Sequence, residues 1–343
     1  MHPIFDGHND ALTREDHALL PAGRPGGDLD LPRMREGGVR GAIFAVFSEQ
    51  SKSEHDRPVP RDDGVIEFEY APPVDHAFAA ADGSAAAGRL LALERAGHVR
   101  VARRATDLDT ARDDGGPPVA VLHLEGAEAI DPGLEALDAW YAAGLRSLGP
   151  VWSRANAFAY GVPFISPSSP DIGPGLTAAG RALVKRCSEL GILVDVSHLN
   201  EAGFWDLARL ELGPIVASHS AAHSLCQASR NLTDAQLDAI GSSGGLVGIV
   251  FACPFLRSDF AEDVDTPISL IADHVRYVAD RIGVEHVALG SDFDGAPIPA
   301  ELGGVSGMPK VLDALRAARF DENDLQAIAW GNWRRVLGEW WRS

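Results

Sequence analysis

Residues 192–219, ILVDVSHLNEAGFWDLARLELGPIVASH, contain the unit from which the fold can be predicted. Two short apolar runs, 192–198 and 214–219, each end in a histidine, and residues 201–211 between them have a helical pattern. Continuous apolar runs of this length are typical of strands that are buried on both faces of a parallel sheet. The stretch is therefore predicted to form a strand, a helix and a second strand, with a histidine at the end of each strand.

The same kind of apolar run occurs eight times along the chain. The predicted strands are residues 4–10, 39–48, 119–126, 144–152, 192–198, 214–219, 245–252 and 286–292. Helical patterns lie between several of them, at residues 134–143, 177–190, 201–211, 233–240 and 266–282, the last with Thr266 as its N-cap and Pro267 at its first position. Strands that alternate with helices predict an α/β protein with a (β/α)8 TIM barrel. An open doubly wound sheet is the alternative, but its nucleotide-binding form is disfavoured because no glycine-rich loop follows the first strand.

The length and composition agree with one barrel domain. The chain has 343 residues, of which 45% are hydrophobic, and α/β barrels of this size are often single domains. We therefore predict one domain over residues 1–343, with an insertion at about 49–118. The other predicted elements are a polar loop at 51–63, helices at 65–81 and 89–103, and two C-terminal helices within about 309–337.

The charge balance and the absence of targeting signals exclude several classes of partner. The formal net charge is −19, from 49 acidic and 30 basic residues, and such a surface repels nucleic acid and anionic lipid. No apolar run reaches 18 residues, so no transmembrane helix is predicted. No charged leader with an apolar segment precedes the first motif at Asp6, and the three cysteines form no C-x-x-C pair. These features predict a cytoplasmic protein with reduced thiols, no nucleic-acid partner and no membrane association.

Five side chains that can bind a metal lie at the ends of predicted strands. His8 and Asp10 are two residues apart, so they point to the same face of an extended segment. Glu125 ends the third strand, and His198 and His219 end the fifth and the sixth. A carboxylate can bridge two cations, and two histidines on adjacent strands suit one divalent ion. Each residue taken singly is equally typical of a solvated rim, so the joint pattern is what predicts a metal site.

The segment GSDFDG at residues 290–295 supplies a further pair of carboxylates. Asp292 ends the eighth strand and Asp294 follows two residues later, so one of the two is expected to face the cavity. A carboxylate beside a metal site can accept a proton and pass it to a leaving amine, and the alternative is a loop or helix-capping residue. His123 also has two interpretations, since it could orient Glu125 from behind or simply pack in the core.

The motifs that carry these residues occur in a specific order. They are DGHND at 6–10, LEG at 124–126, DVSH at 195–198, ASHSAAH at 217–223 with SRN at 229–231, and GSDFDG at 290–295. This ordered set resembles the membrane (renal) dipeptidase family of metallopeptidases, peptidase family M19, over almost the whole chain. The resemblance implies a TIM barrel of the metal-dependent hydrolase type. Without a leader or an apolar C-terminal tail, the chain is similar to the cytoplasmic bacterial branch.

The resemblance implies a zinc-dependent dipeptidase with two Zn²⁺ per chain. The implied metal ligands are His8 and Asp10 for one zinc, His198 and His219 for the other, and Glu125 as the catalytic bridge between them. Asp292 would be the catalytic proton shuttle. Arg230 would bind the C-terminal carboxylate of the dipeptide, a task that suits a planar guanidinium group. Family members often accept a C-terminal D-residue and are often dimeric, so both properties are expected here.

One position departs from the family pattern. Zinc-dependent dipeptidases of this family usually carry a histidine in the loop after the fourth strand, where this chain has Trp152. An indole N–H can donate a hydrogen bond but cannot shuttle a proton. Substrate contact is therefore expected from Trp152, Arg154 or Asn156, unless Trp152 only packs beneath the site. The departure also leaves room for a related binuclear-zinc amidohydrolase that acts on N-acyl amino acids, lactams or esters, and for a metal-stabilised barrel without activity.

Overall fold

Eight parallel strands form the centre of the molecule. The computed structural model describes residues 2–49, 58–68, 70–113 and 115–341, so residues 51–57 of the predicted polar loop lie outside it. The strands are β1 Ile4–Asn9, β2 Val39–Val46, β3 Val119–Glu125, β4 Leu145–Gly149, β5 Leu193–Val194, β6 Val216–Ser220, β7 Leu246–Ile249 and β8 Val287–Leu289. Each lies within one of the eight predicted runs or extends it by a single residue, so the strand predictions are confirmed.

The strands close into a barrel. Strands β1 to β5 pair in order in one sheet and β6 to β8 in a second, with parallel pairing throughout. A parallel bridge between Asp195 and Val216 joins β5 to β6, and another between Asn9 and Phe293 joins β1 to the end of β8. At this second seam, the Asp292 N–H donates to the His8 carbonyl at 3.1 Å. The predicted (β/α)8 barrel is therefore confirmed.

Helices flank the barrel. They span Leu31–Glu36, His76–Arg95, Ala105–Asp113, Glu135–Ala143, Ala178–Leu190, Glu201–Ala208, Asp234–Ser242, Cys253–Leu256, Ser269–Ile282, Met308–Ala317, Glu322–Gln326 and Asn332–Trp340. Short 3-10 turns lie at His17–Leu19, Val284–His286 and Val305–Gly307. Within the described ranges, none of these helices combines the length and the apolar character needed to cross a bilayer.

Two helix predictions need correction. The helix predicted to start at Thr266 begins at Ser269 and has no side-chain cap, because the Thr266 hydroxyl donates to the Asp263 carbonyl instead. The second of the two predicted C-terminal helices, at about 322–337, is interrupted by a π-helical turn, Ala327–Gly331. This wider turn lies where Trp330 and Trp333 both pack on the Phe5 ring, at 5.8 and 5.6 Å between centroids.

The stretch between β2 and β3 also differs from its prediction. Residues 65–81 begin as a strand, Ile66–Phe68, which pairs antiparallel with Pro58–Pro60 and with Ile165–Ser166. Prolines at positions 72 and 73 keep the following helix from starting before His76. The predicted helix at 89–103 ends at Arg95, since Gly97 takes a positive φ of 75° and the chain turns into a short strand beside β3.

Close packing inside the barrel fixes the path of β1. A Cβ atom on Gly7 would lie 2.4 Å from the Trp333 ring and 2.7 Å from the Ser218 carbonyl oxygen. The Trp333 ring is fully buried and donates its indole N–H to the Leu289 carbonyl at 3.0 Å. Only glycine fits at position 7, and this contact holds the neighbouring His8 at a defined height in the barrel.

Candidate active site

The five predicted metal-binding side chains converge at the carboxyl ends of the strands. The Oε1 atom of Glu125 lies 3.5 Å from His8 Nε2, 3.0 Å from His198 Nε2 and 3.5 Å from His219 Nε2. Asp10 approaches from the end of β1, with Oδ2 3.6 Å from His8 Nε2. The carboxylate of Glu125, at the end of β3, is thus the centre on which side chains from three other strands converge.

The convergence produces overlapping sets of three donors. In each set, one ligand atom per residue lies within 4.8 Å of the others. The sets are His8 with Asp10 and Glu125, Glu125 with His198 and His219, and His8 with His219 and Asp292. Imidazole nitrogens and carboxylate oxygens in groups of three are the donors that zinc and similar divalent cations prefer.

Several buried polar atoms in the cluster have no hydrogen-bond partner among the described residues, as expected of atoms that bind a cation. Both ring nitrogens of His8 and Oδ1 of Asp10 are buried without a hydrogen-bond partner in the described part of the chain. Leaving buried polar atoms without a partner costs free energy, and such atoms need an explanation. A metal ion would satisfy the His8 and Asp10 atoms that face Glu125, so these residues fit the metals that the sequence predicts.

The electrostatics of the cluster are those of a closely packed charge group. Burial raises the pKa of Glu125, but the charge of His8 and hydrogen bonds from His198 and His219 hold it well below its usual range. Burial and the neighbouring Arg230 charge lower the pKa of His198 to about 4. Burial, together with the His8 charge, also lowers the pKa of His219. Both of these histidines are therefore neutral at pH 7, which is the form that binds metals.

Hydroxyl groups orient the two histidines from behind. The Ser153 hydroxyl is hydrogen-bonded to His198 Nδ1 at 2.8 Å, and the Ser218 hydroxyl to His219 Nδ1 at 2.8 Å. Asp195 in turn accepts the Ser218 backbone N–H at 2.8 Å. These contacts leave Nε2 of each ring facing Glu125. Sequence analysis did not assign these three residues, although a serine precedes each histidine in DVSH and ASHS.

A second pair that sequence analysis missed joins β1 to β8. Asp6 is fully buried, and its carboxylate accepts the Ser291 backbone N–H at 2.7 Å and the Ser291 hydroxyl at 2.9 Å. Burial raises the pKa of Asp6 to about 6. The pair joins the two strands next to Asp292, and its sequence signal is only the position of Asp6 and Ser291 inside the motifs DGHND and GSDFDG.

The two carboxylates of GSDFDG have different surroundings. Asp292 lines the cavity above the cluster and shares a donor set with His8 and His219. Burial and the nearby carboxylates of Asp10 and Glu125 raise its pKa to about 7. The Asp294 side chain is fully buried in an ion pair with Arg24 on the other side of the backbone. Asp292 is therefore the one of the two that faces the cavity.

Of the two interpretations of His123, the hydrogen bonds favour packing in the core over orientation of Glu125. Its Nδ1 is hydrogen-bonded to the Ser147 hydroxyl at 2.8 Å, and its Nε2 lies 3.8 Å from Asp195. Burial lowers its pKa to about 4. Its hydrogen bond thus goes to β4 and not to Glu125, which makes it a neutral packing residue behind the cluster.

A cavity of about 650 Å³ opens above the cluster and contains Trp152. The Trp152 ring is half-buried and lies 5.8 Å from the His198 ring, 5.0 Å from Phe47 and 5.6 Å from Phe164, centroid to centroid. Arg154 also lines the cavity, and its Nε donates to Glu128 at 2.8 Å. Trp152 thus both packs against a predicted ligand and forms part of the cavity wall.

The remaining two predicted residues, Arg230 and Asn156, lie outside the lining of the cavity. Arg230 is buried, donating from Nη1 to Ser220 at 2.6 Å and from Nη2 to the His219 carbonyl at 2.7 Å. Asn156 donates to the Pro150 carbonyl at 2.8 Å, and its Oδ1 accepts the Phe158 N–H at 2.8 Å. The cavity lining within the described ranges includes neither side chain. The Asn156 contacts stabilise the conformation of its own loop, and the substrate-binding role of Asn156 stays a prediction.

The sequence and the structure are similar to those of known metallopeptidases. The model of the membrane dipeptidase family, peptidase family M19, matches residues 1–341. A crystal structure of a family M19 metallo peptidase, dipeptidase AC, superposes with a TM-score of 0.92 at 42% identity, covering 100% of this chain and 99% of its own. A metallo peptidase from Rhodobacter sphaeroides, liganded with a phosphinate mimic of the dipeptide L-Ala-D-Ala, superposes with a TM-score of 0.92 at 43% identity, covering 99% of each chain. The dipeptidase tcpJ of Claviceps purpurea is 27% identical over 348 residues, which cover 97% of this chain and 76% of that relative.

These comparisons decide the class of reaction. The family match extends over nearly the whole chain, and both crystal structures superpose on the complete barrel. The resemblance predicted from the ordered motifs is confirmed. The chain belongs to the membrane dipeptidase family, peptidase family M19, and is a metal-dependent dipeptidase.

Proposed function

We propose that the chain binds two zinc ions and uses them to hydrolyse dipeptides. His8 and Asp10 would hold one ion, His198 and His219 the other, and Glu125 would be shared by both. The observation that carries this proposal is the pair of donor sets that overlap at Glu125, whose Oε1 is within 3.0–3.5 Å of three imidazole nitrogens. Such binuclear sites hold their ions roughly 3.5–4 Å apart, a separation that one carboxylate can span.

The proposed substrates are dipeptides, including those with a C-terminal D-residue. The support is the Rhodobacter sphaeroides relative, which is 43% identical and binds a phosphinate mimic of L-Ala-D-Ala. A phosphinate has the tetrahedral shape that a peptide carbonyl takes during hydrolysis, and compounds of that shape bind hydrolases tightly. The same kind of substrate would fit the cavity above the cluster in this chain.

The proposed reaction combines metal chemistry with proton transfer by Asp292. When bound, divalent cations in such a site lower the pKa of water toward about 7 and polarise a carbonyl oxygen. Asp292 would accept the proton of the attacking water on its cavity-facing carboxylate and deliver it to the departing amine. Water first adds to the carbonyl carbon and forms the new C–O bond. The C–N bond of this tetrahedral species then breaks as the amine takes up the proton, and the products are two free amino acids. Asp292 suits the task because it borders both the cluster and the cavity.

Arg230 is proposed to hold the C-terminal carboxylate of the substrate. Burial lowers its pKa to about 10, so the guanidinium group stays charged at pH 7. Each of its terminal nitrogens carries two N–H groups, and the Ser220 and His219 bonds account for one on each. The group lies beside two proposed ligands, with Nε 3.3 Å from His198 Nδ1. A carboxylate bound there would end the substrate one residue beyond the scissile bond, which would limit hydrolysis to short peptides.

Trp152 is proposed to contact the substrate at the position where other family members have a histidine. Its ring borders the cavity next to His198, and its indole N–H can donate to the carbonyl oxygen. Arg154 and Asn156 lie in the same loop, and of these Arg154 also lines the cavity. Hydrogen-bond donors at this point stabilise the negative charge that develops on the oxygen.

Metal analysis combined with a substrate panel tests the proposal. The protein is stripped with a chelator, reloaded with Zn²⁺ and analysed by mass spectrometry, with an expected two ions per chain. Hydrolysis of L,L- and L,D-dipeptides is then compared with that of N-acetyl amino acids. One ion per chain would contradict the binuclear site, and a clear preference for blocked amines would replace dipeptides with N-acyl substrates.

The predicted partners other than the substrate follow from charge and family resemblance. The net charge of −19 argues against nucleic acid and anionic membranes. We propose a cytoplasmic homodimer on the strength of the resemblance, and light scattering coupled to size-exclusion chromatography measures the oligomeric state directly.

A further inference from the structure

One side of the cavity is a continuous aromatic wall. It consists of Trp152 and Phe164, both in the segment between β4 and the helix Ala178–Leu190, and Phe255, in the short helix Cys253–Leu256 after β7. All three line the cavity. The Trp152 and Phe164 rings meet edge to face at 5.6 Å, and Phe164 and Phe255 meet at 5.3 Å. Phe164 also contacts Phe68 at 6.1 Å, so the wall is held by further aromatic packing. Edge-to-face pairs of this kind give a rigid apolar surface.

The wall has a defined position relative to the reacting groups. At one end, the Trp152 ring lies 5.8 Å from the ring of the proposed ligand His198, and Phe164 lies 6.0 Å from the same ring. At the other end, the Phe255 ring lies 5.9 Å from Cζ of Arg230. The wall therefore extends from the metal-binding cluster to the guanidinium group.

This position determines which side chain of a dipeptide reaches the wall. The scissile carbonyl lies at the metal cluster and the terminal carboxylate at Arg230, if the proposed function is correct. In a dipeptide, the only side chain between those two groups is that of the C-terminal residue. It is therefore the side chain that can reach Phe164 and Phe255, which lie between the cluster and Arg230, while the N-terminal side chain lies on the other side of the scissile bond.

We propose that this enzyme selects dipeptides whose C-terminal residue has a large apolar side chain, with aromatic residues preferred. A ring placed against Phe164 would gain the burial and the edge-to-face contacts that the wall offers. An acidic side chain placed against these apolar rings would lose its hydration without gaining a hydrogen-bond partner. Acidic side chains at the C-terminal position are therefore disfavoured. This inference rests on the proposed function, because it takes the direction of the substrate from the roles of the cluster and Arg230.

A matched set of dipeptides tests the proposal. The zinc-loaded full chain is assayed with Ala-Gly, Ala-Leu, Ala-Phe and Ala-Asp, and with the reversed series Gly-Ala, Leu-Ala, Phe-Ala and Asp-Ala. We expect kcat/KM for Ala-Phe to exceed that for Ala-Gly by about tenfold or more, as apolar pockets discriminate by side-chain size to that extent. The reversed series should vary less, and Ala-Asp should be the poorest member of the first series.

Substitutions in the wall show whether it causes the preference. Phe164 is half-buried, so Phe164→Ala opens the wall with less risk to folding than a change at the buried Phe255. The ratio of kcat/KM for Ala-Phe over Ala-Gly should fall by roughly tenfold in Phe164→Ala and by less in Phe164→Leu. Phe78→Ala is the matched control, because Phe78 is half-buried like Phe164 and is not part of the cavity lining. That variant should retain the wild-type ratio.

The outcomes separate the two levels of the argument. Equal kcat/KM for Ala-Phe and Ala-Gly, or a preference that appears only in the reversed series, would overturn the inference and leave the dipeptidase proposal intact. An unchanged ratio in Phe164→Ala would overturn the role of the wall. Absence of hydrolysis of every dipeptide by protein with two bound zinc ions would overturn the proposed function, and the inference with it.

Discussion

Two charged regions lie on opposite sides of the loop that follows β8. They differ in whether the protein itself supplies partners for their buried carboxylates. On one side is the metal-binding cluster, in which both His8 nitrogens and one Asp10 oxygen are buried without hydrogen-bond partners. On the other side, Asp294 pairs with Arg24, and neither side chain has any exposed surface. The Asp294 carboxylate also accepts the Asp28 N–H at 2.7 Å. A carboxylate at 292 and one at 294 thus enter two different electrostatic environments.

The difference separates structural from functional polar groups. A buried carboxylate with an arginine and a backbone donor is satisfied within the protein, so it serves the fold. The cluster brings together metal-ligand atoms, among them the His8 nitrogens and one Asp10 oxygen, that have no hydrogen-bond partner in the described part of the protein. A bound cation would supply the missing interaction. Single buried atoms without a partner, such as Arg24 Nε, also occur elsewhere in the described residues, so the site is marked by the concentration of three such atoms on His8 and Asp10.

Removing the shared carboxylate should have the largest effect on the cluster side. In Glu125→Gln, both proposed metal sites lose a charged ligand, and we expect kcat/KM for dipeptides to fall by more than about 10³-fold. Metal content should fall below two ions per chain, measured by mass spectrometry on the dialysed protein. Glu322→Gln, at an exposed helix end, is the control. Full metal occupancy with wild-type turnover in Glu125→Gln would contradict the role of the cluster.

Removing the proton acceptor should be the next largest effect. Asp292→Asn is expected to lower kcat by about 10²–10⁴-fold, the contribution of a general acid–base group. The carboxylate must be deprotonated to accept a proton, so wild-type activity should decline as the pH falls through the pKa of Asp292. Burial raises that pKa to about 7, and bound cations would move the decline to lower pH. A variant that keeps two zinc ions and wild-type kcat would exclude Asp292 as the shuttle.

Breaking the Arg24–Asp294 pair should lower the stability of the fold and leave metal binding unchanged. Arg24→Met leaves the buried Asp294 charge with only the more distant Arg14, whose Nε lies 3.7 Å away. Loss of one partner of a buried ion pair typically costs up to about 3–5 kcal/mol in the free energy of unfolding. Denaturant unfolding measures this loss, and metal content of the folded fraction should be unchanged. The double variant Arg24→Met/Asp294→Asn removes both charges and should recover much of the stability. Equal destabilisation in the single and double variants would show that the charge pair is not the cause.

The smallest predicted effect is a change in stability with pH, caused by His274, whose two ring nitrogens both have hydrogen-bond partners in the protein. His274 is buried, accepts the Ala222 N–H at 3.1 Å and donates to the Leu256 carbonyl at 3.1 Å. Burial lowers its pKa to about 4, whereas it is about 6.5 in an unfolded chain. The unfolded chain therefore binds the extra proton, and stability that is complete above pH 6.5 is lost as the pH falls toward 4, by up to about 3 kcal/mol.

The pH dependence of unfolding in His274→Gln tests this assignment. Other groups contribute to acid unfolding in both proteins, so the difference between the two curves isolates the histidine. The variant should be less stable than the wild type at pH 7, and the gap should narrow toward pH 4. A gap that stays constant over this range would show that His274 does not titrate on unfolding.

The amino-acid sequence alone predicted the barrel and the five side chains that converge at its rim. Parallel strands buried on both faces need continuous apolar runs, and such runs can be recognised locally. Their carboxyl ends meet at one rim, so residues such as Glu125 and His219 could be brought together from sequence order alone. The same reasoning failed at Thr266, since competition from the Asp263 carbonyl depends on how that loop folds.

Only the tertiary structure decided which polar groups complete one another and which line the cavity. Asp292 and Asp294 are equivalent in sequence, and their roles diverge because Arg24, 270 residues away, lies on one side of the loop. The aromatic wall likewise joins Trp152 and Phe164 of the segment after β4 to Phe255 of the short helix after β7. Contacts between distant segments depend on how loops of different length fold over the rim, and no local pattern encodes them.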